Sequence, residues 1–233
     1  AIYYVDEVLN GYSKGYLTML MGVLLISQLL GMLVFGPIMT KTSKKATILI
    51  GAPIRIVCTL GLLAFSYEGA PIAPILALSA GVGIGNAATL TSIFAILADM
   101  ADVDELITSM SRPGIVSGMA TFARKISAGL SAWVIGILIS FAGYDASIAK
   151  AGLRQSLHTQ NGIAMIFIFL PVILVTLLLI FGYMFPITKK EFELVHKEIA
   201  RRKGEDDSVA TEEEKKVLKR VTGIEYDQLW GNK

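Results

Sequence analysis

The sequence predicts an all-α integral membrane protein, and three observations support this class. Hydrophobic residues make up 54% of the 233 residues and charged residues only 17%, whereas soluble domains are about 45 to 50% apolar with glycine counted. The apolar residues form five long runs, each at least as long as the ~20 residues that a helix needs to cross a bilayer core. Most charges lie between these runs and in the tail, where eleven of the 21 Lys and Arg residues follow Pro186. Nothing in this distribution indicates nucleic-acid binding.

Polar or turn-forming residues delimit each predicted span. Residues 1–14 lack the basic start and apolar core of a signal peptide, so we interpret them as the end of a preceding membrane helix and an outer loop. A lysine-rich connection follows the first span, and a turn with Gly69 precedes the third. Together the spans predict a five-helix bundle over residues 15–185. They are residues 15–38, 46–67, 71–98, 114–144 and 162–185.

Small residues interrupt the third span. Gly81, Gly83 and Gly85 alternate in a way that imitates a phosphate-binding loop, but they lie within an apolar run and no Lys-Ser/Thr pair follows them. In membrane helices, small residues instead allow neighbouring backbones to approach closely. We therefore predict that this span packs tightly against other helices.

The tail, residues 186–233, is predicted to form two short soluble helices joined by a linker at 204–208. Thr211 and Glu214 have the spacing of a capping box at the start of the second helix, and Gly223 is suited to end it. We interpret the pair as surface helices on the membrane face, with a partner-docking module as the alternative.

Positive charges predict the orientation. Lys41, Lys44 and Lys45 lie in the short connection after the first span, and cytoplasmic connections carry an excess of Lys and Arg. We therefore expect this connection, the acidic connection 99–112 and the basic tail on the cytoplasmic side of a multi-pass protein of the cell (inner) membrane.

Three basic residues lie inside predicted spans. Arg55 follows Pro53 near the middle of the second span, and Arg124 and Lys125 lie within the fourth. A charge at the centre of a membrane helix costs roughly 2.5 to 3.5 kcal/mol on insertion scales, so such residues are candidates for function. For Arg55, the residues leave two roles open: an ion pair with another helix, or contact with a substrate.

Four acidic residues follow the third span: Asp99, Asp102, Asp104 and Glu105. Their oxygens could bind a divalent cation, but a cytoplasmic gate or a set of salt bridges is the favoured interpretation. Asp99 and Asp102 are three residues apart and share a helical face, whereas Asp104 and Glu105 are expected to begin a loop. The sequence predicts no metal site and no catalytic residues.

The stretch from Ile96 to Asp145 resembles the glycoside-pentoside-hexuronide:cation symporters, the melibiose-carrier group of the major facilitator superfamily. The family pattern ends one helix with acidic residues, continues through a basic loop residue, and enters a helix with an aromatic-x-x-Lys step. The matching residues here are Ala98-Asp99, Asp102, Arg112, Gly114-Ile115, Phe122 with Lys125, and Gly143-Tyr144.

This resemblance implies a function and an incomplete architecture. The five spans would correspond to helices eight to twelve of a twelve-helix carrier, in which the acidic cation-binding residues lie on the amino-terminal half. We therefore expect the carboxyl-terminal half, as a fragment or split subunit, of a symporter that couples a sugar or glycoside to Na⁺ or H⁺ by alternating access. The expected partners are the sugar, membrane lipid and the missing amino-terminal half, with no cofactor besides the coupling cation.

The resemblance also implies roles for individual residues. Lys125 would face the coupling site, and Thr121 lies one turn before it on the same face. The substrate or cation site would comprise Lys125, Thr121, Arg124, Arg55, Asn86 and Thr89, with the last two as candidates for sugar hydroxyls. The cytoplasmic gate would comprise Asp99, Asp102 and Arg112.

Two other functions stay open at this point. One is a carrier of the same fold for lysolipids or other amphiphiles. The other is a membrane-embedded enzyme that uses Asp99, Asp102 and Glu105 with Mg²⁺ on a lipid phosphate. We favour the carrier and expect no enzymatic activity.

Overall fold

The computed structural model describes residues 2–10, 15–151, 153–184 and 189–231, which form helices and connections without a β-strand. Five helices are long and apolar enough to cross a membrane, which confirms the all-α membrane class. The elements are a π-helical segment Tyr4–Val8, α1 Tyr16–Lys41, α2 Lys44–Gly61 with a 3₁₀ turn Leu62–Phe65, α3 Ile72–Thr108, α4 Pro113–Phe141, α5 Ala146–Lys150, α6 Leu157–Met184, α7 Lys189–Lys203, α8 Glu212–Thr222, and a 3₁₀ turn Tyr226–Gln228.

The third helix is longer than its hydrophobicity predicts. It continues through the acidic segment to Thr108 and ends at Ser109, which has a left-handed backbone conformation. The expectation that Asp104 and Glu105 begin a loop is therefore wrong, because both lie within α3. The cause is tertiary: apolar residues of the same segment, such as Leu106, are buried against the tail.

The other helix ends differ less from the prediction. The fifth span begins at Leu157 rather than at residue 162, and the Ser156 hydroxyl accepts a hydrogen bond from the Thr159 amide at 3.2 Å in its first turn. The predicted end of this span at Phe185, the Pro186 after it, and residues 11–14 of the predicted outer loop lie outside the described residues.

Helix α3 packs against α1 and α2 through its glycines. A Cβ atom on Gly83 would lie 2.6 Å from the Leu24 carbonyl oxygen of α1, and one on Gly85 would lie 2.7 Å from the Gly51 carbonyl oxygen of α2. Any larger side chain would force these backbones apart. The small residues therefore set the contact, as the sequence predicts.

The short segment before α1 is buried in the bundle. Tyr4 is almost fully buried, its ring stacks on Phe167 of α6 with centroids 4.3 Å apart, and its hydroxyl shares a 2.8 Å hydrogen bond with Ser66. At the same end, Arg154 forms an ion pair with Glu68 and donates to the Glu7 carbonyl at 2.9 Å. These contacts hold the segment against α6 and against the connections that precede α3 and α6.

Helix α4 contrasts with the rest because it packs at the edge of the bundle. Ile139 is its only fully buried residue among those described. Large apolar side chains lie exposed along the remainder, including Met119, Phe122, Ile126 and Trp133. The helix therefore presents a long apolar face outward.

The tail docks on the end of α3. Val103 and Leu106 of α3 share a buried cluster with residues of α7 and α8 and with Leu229. The amides of Trp230 and Gly231 donate to the Leu106 and Ile107 carbonyls at 2.9 and 3.0 Å. Since the last carbonyls of a helix have no partner within it, the tail closes α3. The predicted surface helices are thus joined to the bundle by a core of their own, which the sequence analysis did not predict.

The predicted caps of α8 are present. Thr211 and Glu214 form a capping box, and Gly223 ends the helix with φ +72°. The linker between α7 and α8 is longer than predicted, because α8 begins only at Glu212.

Candidate functional site

A chain of polar side chains joins three membrane helices. The Arg55 Nη1 atom of α2 donates to Asn86 Oδ1 of α3 at 2.9 Å, and Asn86 Nδ2 donates to Gln28 Oε1 of α1 at 2.9 Å. Gly85 makes this possible, since a Cβ atom there would lie 2.8 Å from the Arg55 amide nitrogen. Arg55 and Asn86 are therefore brought together as one polar site inside the spans.

The guanidinium of Arg55 is only partly satisfied. Its Nε atom is buried and has no hydrogen-bond partner, and Arg55 forms no ion pair within the part of the chain that the structure describes. Of the two roles left open for Arg55, an ion pair between helices of this chain is not the one observed. Its contact is with the neutral amide of Asn86 instead.

Sequence analysis missed Gln28 as a member of this site. The available signal was a single glutamine in the middle of an otherwise apolar span, a position at which a buried amide needs a partner. Its role as the acceptor that orients Asn86 depends on the rotation of α1 about its axis, which hydropathy does not report.

A cavity of about 210 Å³ lies beside Arg55. The π-helical segment, α1, α2, α3 and α6 all contribute to its wall, which is mostly apolar and includes Phe167 and Pro171. Thr59 and Ser79 also line it, and neither hydroxyl has a hydrogen-bond partner among the described residues. An apolar cavity with a few convergent polar groups is the usual form of a small-molecule site.

Thr89 and Asn86 are placed differently, although both were candidates for sugar hydroxyls. The Thr89 side chain is buried, and its hydroxyl donates to the Gly85 carbonyl of its own helix at 3.0 Å. Asn86 is engaged by Arg55 and Gln28. Of the two, only Asn86 therefore belongs to the polar site.

The α4 candidates do not form one cluster. Thr121 and Arg124 line a groove between α3 and α4 that also includes Asp102. Lys125 does not line this groove, and within the described residues it has neither an ion pair nor a hydrogen bond. All three residues are exposed in the chain as described.

Two acidic residues at the end of α3 pair with basic residues of α2 and α7. Asp99 is buried and forms an ion pair with Lys44 at the start of α2. The Lys44 ammonium also donates to the Ala95 carbonyl at 3.2 Å and lies 4.6 Å from the centre of the Phe192 ring of α7. Asp102 Oδ2 lies 3.5 Å from His196 Nε2, also of α7.

Arg112 is not joined to the other predicted gate residues. Its Nε and Nη2 atoms donate to the Asp104 carboxylate at 3.1 and 2.8 Å. Glu105 Oε1 lies 2.6 Å from the Lys203 ammonium, which raises the pKa of Lys203 above its ordinary value. The four acids thus each meet a base, and the described residues contain no group of three metal-binding side chains.

This arrangement defines a helical membrane bundle with a polar site inside it and charge pairs at the end of α3. The chain belongs to the MFS/sugar transport protein family, whose model matches residues 1–189. The resemblance of the stretch from Ile96 to Asp145 to a sugar-transport family of the major facilitator superfamily is thereby confirmed, and the chain is a multi-pass membrane protein.

Two relatives from Escherichia coli K12 match most of the chain. A glucuronide carrier protein homolog is 26% identical over 208 residues, which cover 87% of this chain and 43% of the relative. A putative sulfoquinovose importer is 29% identical over 224 residues, covering 91% of this chain and 43% of the relative. The chain thus spans less than half the length of either relative. No solved structure matches it.

Proposed function

We propose that the chain is the carboxyl-terminal half of a secondary active transporter that couples uptake of a sugar or glycoside to Na⁺ or H⁺ by alternating access. The family supports sugar transport, and the names of the two relatives, a carrier and an importer, agree with transport rather than enzymatic activity. Their greater length supports a second half.

The exposed face of α4 carries this proposal. Met119, Phe122 and Trp133 face outward there, and Lys125 has no partner within the described residues. An unpaired ammonium in a membrane span is costly. An amino-terminal half with apolar helices and carboxylates would cover this face and pair with Lys125.

In this proposal, Lys125 links the two halves to the transport cycle. Its ammonium pairs with carboxylates of the other half and is released when a cation and a sugar occupy the site. The two halves then rock about a site near the membrane midplane. Thr121 and Arg124 lie on the same helix at the groove with Asp102, so they would respond to the same motion.

The acidic end of α3 is proposed to lie on the cytoplasmic side of the inner membrane. Lys41, Lys44 and Lys45 support this orientation, together with the eleven basic residues after Pro186. Asp99 and Asp102 would act there as gate residues through Lys44 and His196. Arg112 would act only through Asp104.

The relatives also support a substrate class. A glucuronide carries a carboxylate and sulfoquinovose a sulfonate, so both names refer to acidic sugars. We propose acidic sugars as substrates, in preference to lysolipids. A Mg²⁺-dependent enzyme is less well supported, because the acids that it would need are engaged by basic side chains.

The test replaces Lys125 in cells that express this chain together with the proposed amino-terminal half. Lys125→Ala should abolish uphill accumulation of labelled sugar while the protein still reaches the membrane. Lys125→Arg should restore it only in part, because a planar guanidinium cannot replace a compact ammonium. Lys150→Ala, an exposed lysine of α5, is the matched control and should accumulate sugar normally. Normal accumulation by Lys125→Ala at equal expression would contradict the proposal.

A further inference from the structure

We propose that the cavity beside Arg55 is a subsite for the anionic group of an acidic sugar. The guanidinium would bind the carboxylate or sulfonate, and the hydroxyls of Thr59 and Ser79 would bind sugar hydroxyls. This assignment rests on the proposed transport of sugars and adds to it the residues that select a charged substrate.

The charge of Arg55 is the first argument. A guanidinium stays protonated in proteins and offers five N–H donors, yet among the described residues its only acceptor is Asn86 Oδ1. The buried Nε–H has none. A bound anion would supply both the missing charge and the missing acceptors, and charge-assisted pairs of this kind are the strongest hydrogen bonds in proteins.

The geometry around the guanidinium is preorganised. Gln28 Oε1 accepts from Asn86 Nδ2, which turns the Asn86 oxygen toward Arg55. The guanidinium is therefore held by one edge from α3. Preorganisation of this kind reduces the ordering cost that a ligand would otherwise meet.

The cavity wall is the second argument. The side chains of Thr59 and Ser79 are only 6% and 5% exposed, and neither hydroxyl has a partner within the residues described. Among the described residues, neither oxygen is one of the fully enclosed polar atoms that lack a partner, so both hydroxyls are open to the cavity, where a ligand can satisfy them. The remaining wall is apolar and includes the rings of Tyr4 and Phe167, against which the C–H face of a sugar ring can pack.

The position of the cavity favours a small solute over an acidic side chain of another protein segment. Six elements of this chain line it, with the 3₁₀ turn that begins at Leu62 counted among them. Gly83 and Gly85 hold α1, α2 and α3 in backbone contact, so a helix from a partner could not enter without separating them. A volume of about 210 Å³ suits the charged end of a monosaccharide.

The experiment first compares different substrates in the unaltered carrier and then compares variants of the carrier. In cells with both halves of the carrier, uptake of methyl glucuronide, its uncharged amide and a sulfonated hexose would be compared. We expect both anions to enter at least about tenfold faster than the amide, as loss of a charge-assisted contact predicts. Arg55→Gln should lower anion uptake by at least about tenfold, so that the ratio of anion to amide uptake falls to about one. Arg55→Lys should be intermediate, and Lys150→Gln should keep the wild-type ratio.

Two outcomes would overturn the subsite: equal uptake of the amide and the glucuronide by the unaltered carrier, or an unchanged ratio in Arg55→Gln. If Arg55→Gln does not reach the membrane, the test rests on the unaltered carrier and on two milder variants, Thr59→Val and Ser79→Ala. Each of these two variants should slow uptake of all three sugars. Failure of the proposed transport function can be distinguished from failure of the subsite. If no sugar enters, calorimetric binding to the purified carrier still tests the subsite: binding of glucuronide but not amide supports it, and equal binding contradicts it.

Discussion

Helices α3 and α4 are both rich in glycine, but their glycines do different things. A Cβ atom on Gly85 of α3 would collide with the backbone of α2, whereas one on Gly118 or Gly129 of α4 would meet nothing within 4 Å among the described residues. The same residue type thus closes a contact in one helix and lies open in the other. A small-residue pattern therefore indicates close packing only where the partner helix is present.

The charges of the two helices differ in the same way. Asp99 and Asp102 of α3 face Lys44 and His196. Arg124 and Lys125 of α4 form no ion pair within the described part of the chain. The charges of α3 are therefore paired within this chain, whereas those of α4 are exposed, and our proposal assigns the α4 face to the second half of the carrier.

The largest expected effect concerns the buried end of α3. Leu218 of α8 is fully buried in the cluster with Leu106, whereas Met119 of α4 is 69% exposed. Leu218→Ala should destabilise the docked tail by about 3 kcal/mol, the usual cost of a cavity in a core. Met119→Ala should change little. Trp230 fluorescence in a Trp133→Phe background, with the chain in lipid nanodiscs, reports tail release. Equal effects of the two substitutions would contradict the conclusion that the end of α3 is packed and α4 is not.

A smaller effect is expected at the glycines. Gly85→Ala forces a methyl group against the backbone of α2 and should destabilise the bundle by about 2 kcal/mol, as overpacking does. Gly118→Ala should be neutral or slightly stabilising, because alanine is the better helix former and the site is open. The reaction rate of Cys58, the only cysteine, with a maleimide measures opening of the bundle. Faster labelling in Gly118→Ala would show that α4 is packed after all.

The smallest effect is a pH dependence of the tail. The Thr211 amide donates to the Glu214 carboxylate at 3.0 Å and holds the pKa of Glu214 at about 2, below its ordinary 4.5. Because the folded pKa is lowered, the stabilisation is complete above pH 4.5 and is lost as the pH falls toward 2. We expect about 1 kcal/mol, the scale of a helix cap. Glu214→Gln keeps the cap but should remove this pH dependence of Trp230 fluorescence.

Much of the site could be predicted only as a set of candidates. Arg55, Lys125 and Asp99 stand out because charges in or beside apolar runs are rare and costly. The pairings themselves could not be predicted, because Lys44 lies far in the chain from Asp99, His196 from Asp102, and Gln28 from Asn86. Pairing of Arg112 with Asp104 depends on α3 continuing past the membrane, which hydropathy alone argued against.

The sequence by itself determined the class of protein, the five spans and the capping box of α8. Each of these depends on residues within one turn or one span of each other, where periodicity, length and hydrogen bonding are local. The tertiary structure decided which faces of the helices meet. It extended α3 to Thr108 by burying Leu106 under the tail, joined Gln28, Asn86 and Arg55 across three helices, and left α4 exposed. These outcomes depend on how whole helices rotate and pack against each other. The free energy of that packing comes from contacts between residues distant in the chain, which a local sequence pattern does not report.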